Sequence, residues 1–421
     1  MNHRLLKPLL KQKDQWIEIT FPEAFEHIAN ALKSYSNSET VFFGGGSYSN
    51  EELYLIQKIA REGVKTNAIC SFEYLTRGSE FQFDKNDIVP FAEMAGASRF
   101  FCFGFDLQSP YPTLNVVKQI MEVYPQIPRT FFNQDSKIFI KNFQAFFRAV
   151  NYYLVQHQLI KGIYIEGLGK NYQAYASALL SDLYNDLLAE NNLQSFDIEY
   201  FVNMILVEKN PVYLFWEKAL SLKALYELEN LCMLTDVQSK QSCGFLGIKE
   251  NINSQGLFDM GIFPDLEVGG RKQETQRNGQ EASTQDILHN LLDGKYKNGL
   301  IFGENPVISL ESPEIINALK KIPFLVVQTP YFTETAQGAH LILPATLPTE
   351  SDGIYTDCTR VAHPFKKEEA SAVELNNLQQ LSALGEKLGL PSCDDHSDLF
   401  LEYISFFKAG CHSHERHFFR W

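Results

Sequence analysis

Thr40-Val41-Phe42-Phe43-Gly44-Gly45-Gly46-Ser47 is an apolar run stopped by three glycines, and Ser49-Asn50-Glu51-Glu52 then leads into a helical pattern from Leu53 to Arg61. A short β-branched and aromatic run bounded by glycine predicts a buried strand. Strand, glycine turn and capped helix make a βα unit, whose helix N-terminus is able to receive an anion. The glycines do not spell GxGxxG. They either bring the backbone close to a ligand or only permit a tight turn, and the sequence leaves both readings open.

The same form recurs on either side. Upstream, Trp16-Ile-Glu-Ile-Thr20 predicts a short strand, with Thr20 capping and Pro22 opening a helix to about Leu32. Downstream, strands are predicted at Arg99–Asp106, Thr130–Asp135, Gly162–Gly169, Gly299–Pro306, Pro323–Thr329 and His340–Pro344, with helices from Ser109 to about Val123 and from Ala174 to about Leu188. Apolar strands alternating with helices imply an α/β fold with mainly parallel sheets. In such folds ligands sit at the carboxyl ends of strands, where the glycine and polar residues lie. Pro264–Gln285 breaks the rhythm as a long polar stretch with Arg271, Lys272 and Arg277, read as a solvated excursion or an anion-covering lid.

The 421 residues carry 37 Lys plus Arg against 51 Asp plus Glu, a net charge of -14, which argues against nucleic-acid binding. No apolar run approaches the ~20 residues of a membrane span, and Met1–Trp16 lacks a signal-peptide core. The expectation is a soluble, cytoplasmic chain. The seven cysteines, at 70, 102, 232, 243, 358, 393 and 411, are scattered without a CxxC pair, so they read as reduced thiols holding neither a structural zinc nor an iron-sulfur cluster. The Cys393/His396 and Cys411/His412/His414/His417 groups read as part of a solvated C-terminal tail, with a tail metal site as the alternative. GxSxG, HExxH and P-loop patterns are absent, so no catalytic residue and no metal ligand is assigned. The adjacent acids Glu51-Glu52 and Asp394-Asp395 read as helix caps and solubility charge.

Several segments in order resemble the molybdopterin oxidoreductase family, which includes formate dehydrogenase α subunits and the large subunit of respiratory complex I. They are Pro8-Leu-Leu with Trp16–Ala24, Asn50-Glu51-Glu52 with Arg61–Asn67, Phe103–Asp106 through Pro112, Glu250–Gly261, Phe302–Pro306, and Val327-Gln328 through Thr333–Ala336, Leu343-Pro344, Glu350, Gly353 and Arg360. The resemblance implies two Rossmann-like, doubly wound domains, one inserted in the other. Residues of about 1–70 and 246–390 would form the discontinuous domain, 71–245 the inserted one, and 391–421 a tail. It further implies a bis(molybdopterin guanine dinucleotide) cofactor, with Gly104, Asp106 and Ser109 near one guanosine and Asp135 near its ribose. Gly303, Asn305 and Pro306 would approach the other guanosine, and Asn253 and Gln255 would lie between the domains.

The departures from the family pattern matter as much. Spacing to Gly78-Ser79 puts Leu75 and Thr76 where formate dehydrogenases carry the metal-ligating cysteine or selenocysteine and its histidine, and Cys70 reaches that position only after a five-residue shift. Lys249 replaces the substrate arginine and loses its bidentate fork. Thr329 stands where an acid usually contacts guanine, and Thr235-Asp236-Val237 lacks the family's turn glycine. The chain starts just after the position of the four-cysteine cluster motif and leaves only about 30 residues beyond Leu390. The expectation is a degenerate, non-catalytic structural or regulatory subunit of an electron-transfer complex of the NADH or formate dehydrogenase type, bound to other redox subunits and holding no cofactor. The alternatives are a split formate or formylmethanofuran dehydrogenase-type subunit that binds molybdopterin guanine dinucleotide, with cluster and lid domains on other chains, and a nucleotide-binding module that keeps one guanosine pocket without molybdenum.

Overall fold

The computed structural model describes residues 4–13, 15–82, 88–109, 111–133, 136–161, 169–237, 241–273, 282–310, 312–393 and 395–409. Two compact units divide the chain, one made of Met1–Gln82 with Asn251–Cys411 and the other of Phe83–Glu250. In chain order the strands are β1 (Leu9–Gln12), β2 (Gln15–Glu18), β3 (Thr40–Gly44), β4 (Ile69–Cys70), β5 (Arg99–Phe103), β6 (Arg129–Phe132), β7 (Pro211–Trp216) and β8 (Gly244–Ile248). They continue as β9 (Leu266–Glu267), β10 (Arg271–Lys272), β11 (Asn298–Phe302), β12 (Phe324–Thr329), β13 (Leu341–Pro344), β14 (Gly353–Thr356) and β15 (Ala362–Phe365).

The first unit holds a seven-stranded sheet in the order β2-β1-β13-β12-β11-β3-β4. From β13 to β4 all pairs are parallel, and only the edge strands β1 and β2 run antiparallel. The second unit has a four-stranded, wholly parallel sheet in the order β6-β5-β7-β8. Its strands fall between β4 and β11 in the sequence, so it interrupts the first unit. The fold is α/β with mainly parallel sheets. Strands β3, β7, β8 and β11 are buried at every position, as expected of parallel strands covered on both faces.

Local chemistry starts the helices where the sequence predicts. Thr20 Oγ1 accepts from Glu23 N while the Glu23 carboxylate accepts from Thr20 N at 2.8 Å, a capping box on the helix Phe21–Ser34. Ser49 and Glu52 do the same for the helix Asn50–Lys58, which widens into a π-turn over Ile59–Val64. The helix expected from Ala174 to Leu188 is instead two, Gly169–Leu180 and Tyr184–Ala189. At the break Ser181 Oγ bonds back to the Ala178 carbonyl at 2.6 Å and Asp182 pairs with Arg148, so side chains compete with the helical ladder.

The aromatics of the second unit are mostly core. Phe132, Phe146 and Phe147 are buried, Phe131 and Phe143 half-buried, and Phe103 stacks on Phe132 at 4.8 Å. Of the expected tail, residues 396–409 form the helix His396–Ala409, whose Leu399 and Tyr403 are buried. The strand expected at Gly162–Gly169 falls on residues 162–168 and so lies outside the described residues, as do most of the polar stretch beyond Gln273 and the Cys411–His417 group. Among the described residues no helix is long and apolar enough to cross a membrane.

Candidate functional site

At the carboxyl ends of β3, β11, β12 and β13 the connecting turns wall a cleft of about 250 Å³, lined among others by Tyr48, Glu52, Glu304, Asn305 and Thr346. A second lobe of about 240 Å³ shares Ser47, Tyr48, Ser49, Pro348 and Phe365 and reaches Tyr355 on the β14–β15 hairpin. This is the crest position at which parallel α/β sheets bind ligands.

The glycines of the opening motif serve the protein's own packing. A Cβ on Gly45 would lie 2.5 Å from the Gly303 carbonyl oxygen, and one on Gly46 would lie 2.9 Å from Asn251 Cβ. Gly303 has φ +69°, and its Cβ would fall 2.4 Å from the Tyr48 ring. Ser47 Oγ ties the two turns by donating to the Gly303 carbonyl at 2.9 Å. Below them Tyr48 donates to Gln328 Oε1 at 2.9 Å, Gln328 to Gln380 Oε1 at 2.7 Å, and Gln380 to the Pro344 carbonyl at 2.8 Å. The turn reading of the glycine run therefore prevails over close approach to a phosphate.

The cleft is acidic. Glu304 accepts from Ser71 Oγ at 2.6 Å and Phe72 N at 3.0 Å, yet burial, with repulsion from Glu73, pushes its carboxyl up to about 8. Burial likewise raises Glu52 to about 7 against hydrogen bonds from Ser49 and Asn377. Neighbouring Glu51 is 1% exposed and accepts from Ile354 N at 3.0 Å and Tyr403 O–H at 3.2 Å. Glu52 is a cap as expected, but neither acid is solubility charge. Among the described residues lining the larger lobe none is basic. In the sequence Tyr48 and Glu304 carry no assigned role and Glu52 only that of a cap and solubility charge, because tertiary contacts alone bring them to the cleft.

The sequence-predicted ligand residues divide between the units. Gly303 and Asn305 line the cleft, with Asn305 accepting from Thr335 Oγ1 at 2.6 Å, and Pro306 is buried in the first turn that follows. Asn253 is fully buried and spent on the protein: it donates to the Tyr48 carbonyl at 2.7 Å and Asn50 Oδ1 at 3.0 Å, and accepts from Thr356 N at 2.6 Å. Gln255, equally buried, donates to Asp259 at 3.1 Å and leaves Oε1 unpaired. In the second unit Gly104 has φ +73°, and a Cβ there would lie 2.6 Å from Ala219. Asp106 Oδ1 accepts from Gln108 N at 2.7 Å and Ser109 Oγ at 3.4 Å, an Asx turn that closes on itself. Asp135 lies outside the described residues.

The residues tested as metal or substrate contacts are occupied elsewhere. Leu75 is fully buried core. Cys70 is a buried residue of β4, and burial drives its thiol well above its ordinary range, the reverse of what a thiolate ligand needs. Lys249 and Glu217, 1% exposed each as residues, form a 2.6 Å ion pair past the ends of β8 and β7. Among the described residues no three His, Cys, Asp or Glu side chains converge as a metal site. This donor set does not fit a molybdenum or tungsten centre. Nor does an acid-lined cleft whose glycine space is already filled fit a pyrophosphate.

Fold and crest together define a parallel α/β scaffold with a cleft at the carboxyl ends of its strands. The chain belongs to the molybdopterin oxidoreductase family, whose sequence profile matches residues 4–132 and 216–372. It is 26% identical over 92% of its length to the F420-dependent formate dehydrogenase subunit alpha of Methanocaldococcus jannaschii and covers 62% of that protein. It is 24% identical over 86% of its length to the NADPH-Fe(3+) oxidoreductase subunit alpha of Geobacter sulfurreducens and covers 47% of it. Acetylene hydratase from Pelobacter acetylenicus shares the fold with a TM-score of 0.68 at 12% identity, over 92% of this chain and 62% of that one. A chain of the formyltransferase/hydrolase complex from Methylorubrum extorquens, solved with methylofuran, aligns at a TM-score of 0.58 and 10% identity, over 90% of this chain and 98% of that one.

Proposed function

We propose that this chain is a non-catalytic subunit of a multi-chain redox assembly, a family scaffold kept for packing and partner binding and carrying no metal. The observation that carries the reading is the fate of the metal-ligand segment: Leu75 is in the core and Cys70 is sealed in β4 with its thiol held protonated. Lys249, the remaining cation of the substrate position, is neutralised by Glu217 rather than left to meet a carboxylate. Relatives named as alpha subunits, and a neighbour of similar extent within a complex, support a subunit role.

The second reading is a split dehydrogenase-type enzyme holding molybdopterin guanine dinucleotide, with its cluster and lid supplied by other chains. Only the position of the crest cleft favours it, since parallel α/β sheets bind ligands at the carboxyl ends of their strands, while the acids lining the cleft disfavour a pyrophosphate. Plasma mass spectrometry of the full chain, purified with whatever subunits accompany it, decides between them. The scaffold reading expects molybdenum and tungsten far below one atom per chain. One atom per chain, lost in Cys70→Ala, would overturn it.

A further inference from the structure

In the second unit the helix Ser195–Val207 carries apolar residues on both faces but is covered on only one. Ile198, Phe201, Val202 and Ile205 are buried, with the Phe201 ring 5.4 Å from Phe132 and 5.1 Å from Phe146 between centroids. On the opposite side Phe196, Tyr200 and Val207 are 62%, 48% and 78% exposed, and Asn203 is exposed among them. A helix that is apolar all round is ordinarily buried all round, whereas the outer face of a surface helix is polar.

The spacing and the rims of this face name its occupant. Phe196, Tyr200, Asn203 and Val207 follow one another by four, three and four, the seam positions of a coiled coil. Eleven rises of about 1.5 Å make a strip about 16 Å long and one helix wide, the footprint of a second helix rather than of a globular face. On the helical wheel exposed Glu199 stands on one rim and Met204 on the other, where Met204 Sδ lies 3.7 Å from Thr130 Oγ1 of β6. Exposed Lys137, in the segment after β6, sets its ammonium 4.2 Å from the Tyr200 ring centroid on that second rim. Asp197, also on it, is spent as a cap and accepts from Gln194 N at 2.9 Å.

A two-fold axis parallel to the helix turns each rim toward the opposite rim of the copy, so that Glu199 of each chain meets Lys137 of the other. An antiparallel two-fold pair sets acid beside acid and base beside base. In the parallel register Asn203 meets its own copy, amide to amide, each side donating and accepting, and Phe196 and Tyr200 meet as aromatic pairs. We propose that this face is an interface with a second copy of the chain, the two Ser195–Val207 helices running parallel and in register. So small a strip belongs to the weak class of interfaces, below about 1,200 Å² in total, and sets a micromolar or weaker association. The proposal does not rest on the scaffold reading, because self-association and metal content are measured separately.

Sedimentation of the full chain between about 5 and 500 µM tests it, with circular dichroism showing that each variant is folded. The mass is expected to rise from monomer toward dimer over that range. Tyr200→Glu and Phe196→Glu should each weaken the dimer at least about tenfold, while Val123→Glu, at a site 68% exposed on another helix, should leave it unchanged. Lys137→Glu should weaken it about threefold, and adding Glu199→Lys should restore it. Val207→Cys should cross-link to its copy under oxidised glutathione, since a parallel pair sets the two positions side by side and an antiparallel pair sets them about 16 Å apart. A monomer at every concentration, a dimer indifferent to Tyr200→Glu, or a dimer without that cross-link would each overturn the proposal. A chain that is monomeric alone but whose strip is shielded from hydrogen exchange when another subunit accompanies it would overturn it in favour of that subunit.

Discussion

The two sheet crests obey one architectural rule and end differently. In the first unit the turns after β3 and β11 are tied by Ser47, yet with those after β12 and β13 they leave a cleft lined by Glu52, Glu304 and Tyr48. In the second, the turns after β7 and β8 are laced shut, with Glu217 bonded to Lys249 at 2.6 Å and Lys218 to Glu250 at 2.5 Å. Tyr111 stacks on Trp216 with centroids 3.6 Å apart, and Gly104 is pressed on Ala219. A parallel sheet makes a crest available, but the side chains on its turns decide whether the crest is a site or a seam.

The largest expected effect attacks the seam. Lys249→Met leaves the Glu217 carboxylate buried without its cation, which should cost about 3–5 kcal/mol in urea unfolding. Adding Glu217→Leu should recover most of that loss. If the single variant is neutral, the pair is not what closes the second crest.

Next come the turns of the first crest. Gly303→Ala forces a Cβ toward Tyr48 at φ +69°, whereas Gly294 has φ +70° with nothing within 4 Å of its Cβ position. Strain alone, about 1 kcal/mol, is expected for Gly294→Ala, and about 2–3 kcal/mol for Gly303→Ala. Equal losses would mean that Tyr48 yields and the glycine is not needed for packing. Tyr48→Phe strands Gln328 Oε1 and should cost about 1–3 kcal/mol by the same measurement.

A pH series sharpens the contrast further. Glu304 and Glu52 titrate near 8 and 7 in the folded protein, above the usual carboxyl range of about 4.5, so the folded state binds more protons than the unfolded state between those limits. Their contribution to stability is present in full below about pH 4.5 and is lost as pH rises through 7 to 8. Melting temperature should therefore fall between pH 5 and 9, and fall less in Glu304→Gln. An identical slope in that variant would remove Glu304 from the account. Smallest of all, Asp106→Asn preserves the Oδ1 that accepts from Gln108 and should change stability by less than about 0.5 kcal/mol.

Much of the fold was legible because it is local. The run Thr40–Gly44, the capping residues Thr20 and Ser49 and the glycine stops announce strands and helix starts through neighbours in sequence. The split of the expected Ala174–Leu188 helix was not legible, since Arg148, which draws Asp182 out, is 34 residues away. The site was less readable than the fold. Asn253 has the residue type of a ligand contact, but Tyr48 and Asn50 take both of its amide hydrogens and Thr356 donates to its oxygen.

By itself the sequence determined the alternation of elements and the family, because those depend on residue type and order. Tertiary structure alone decided what each polar group faces. Glu51-Glu52 became buried acids rather than surface charge, the glycines became packing contacts, and Lys249 became half of an ion pair. The physical reason is that burial and pairing, which set the charge and reach of a side chain, are made by residues distant in the chain.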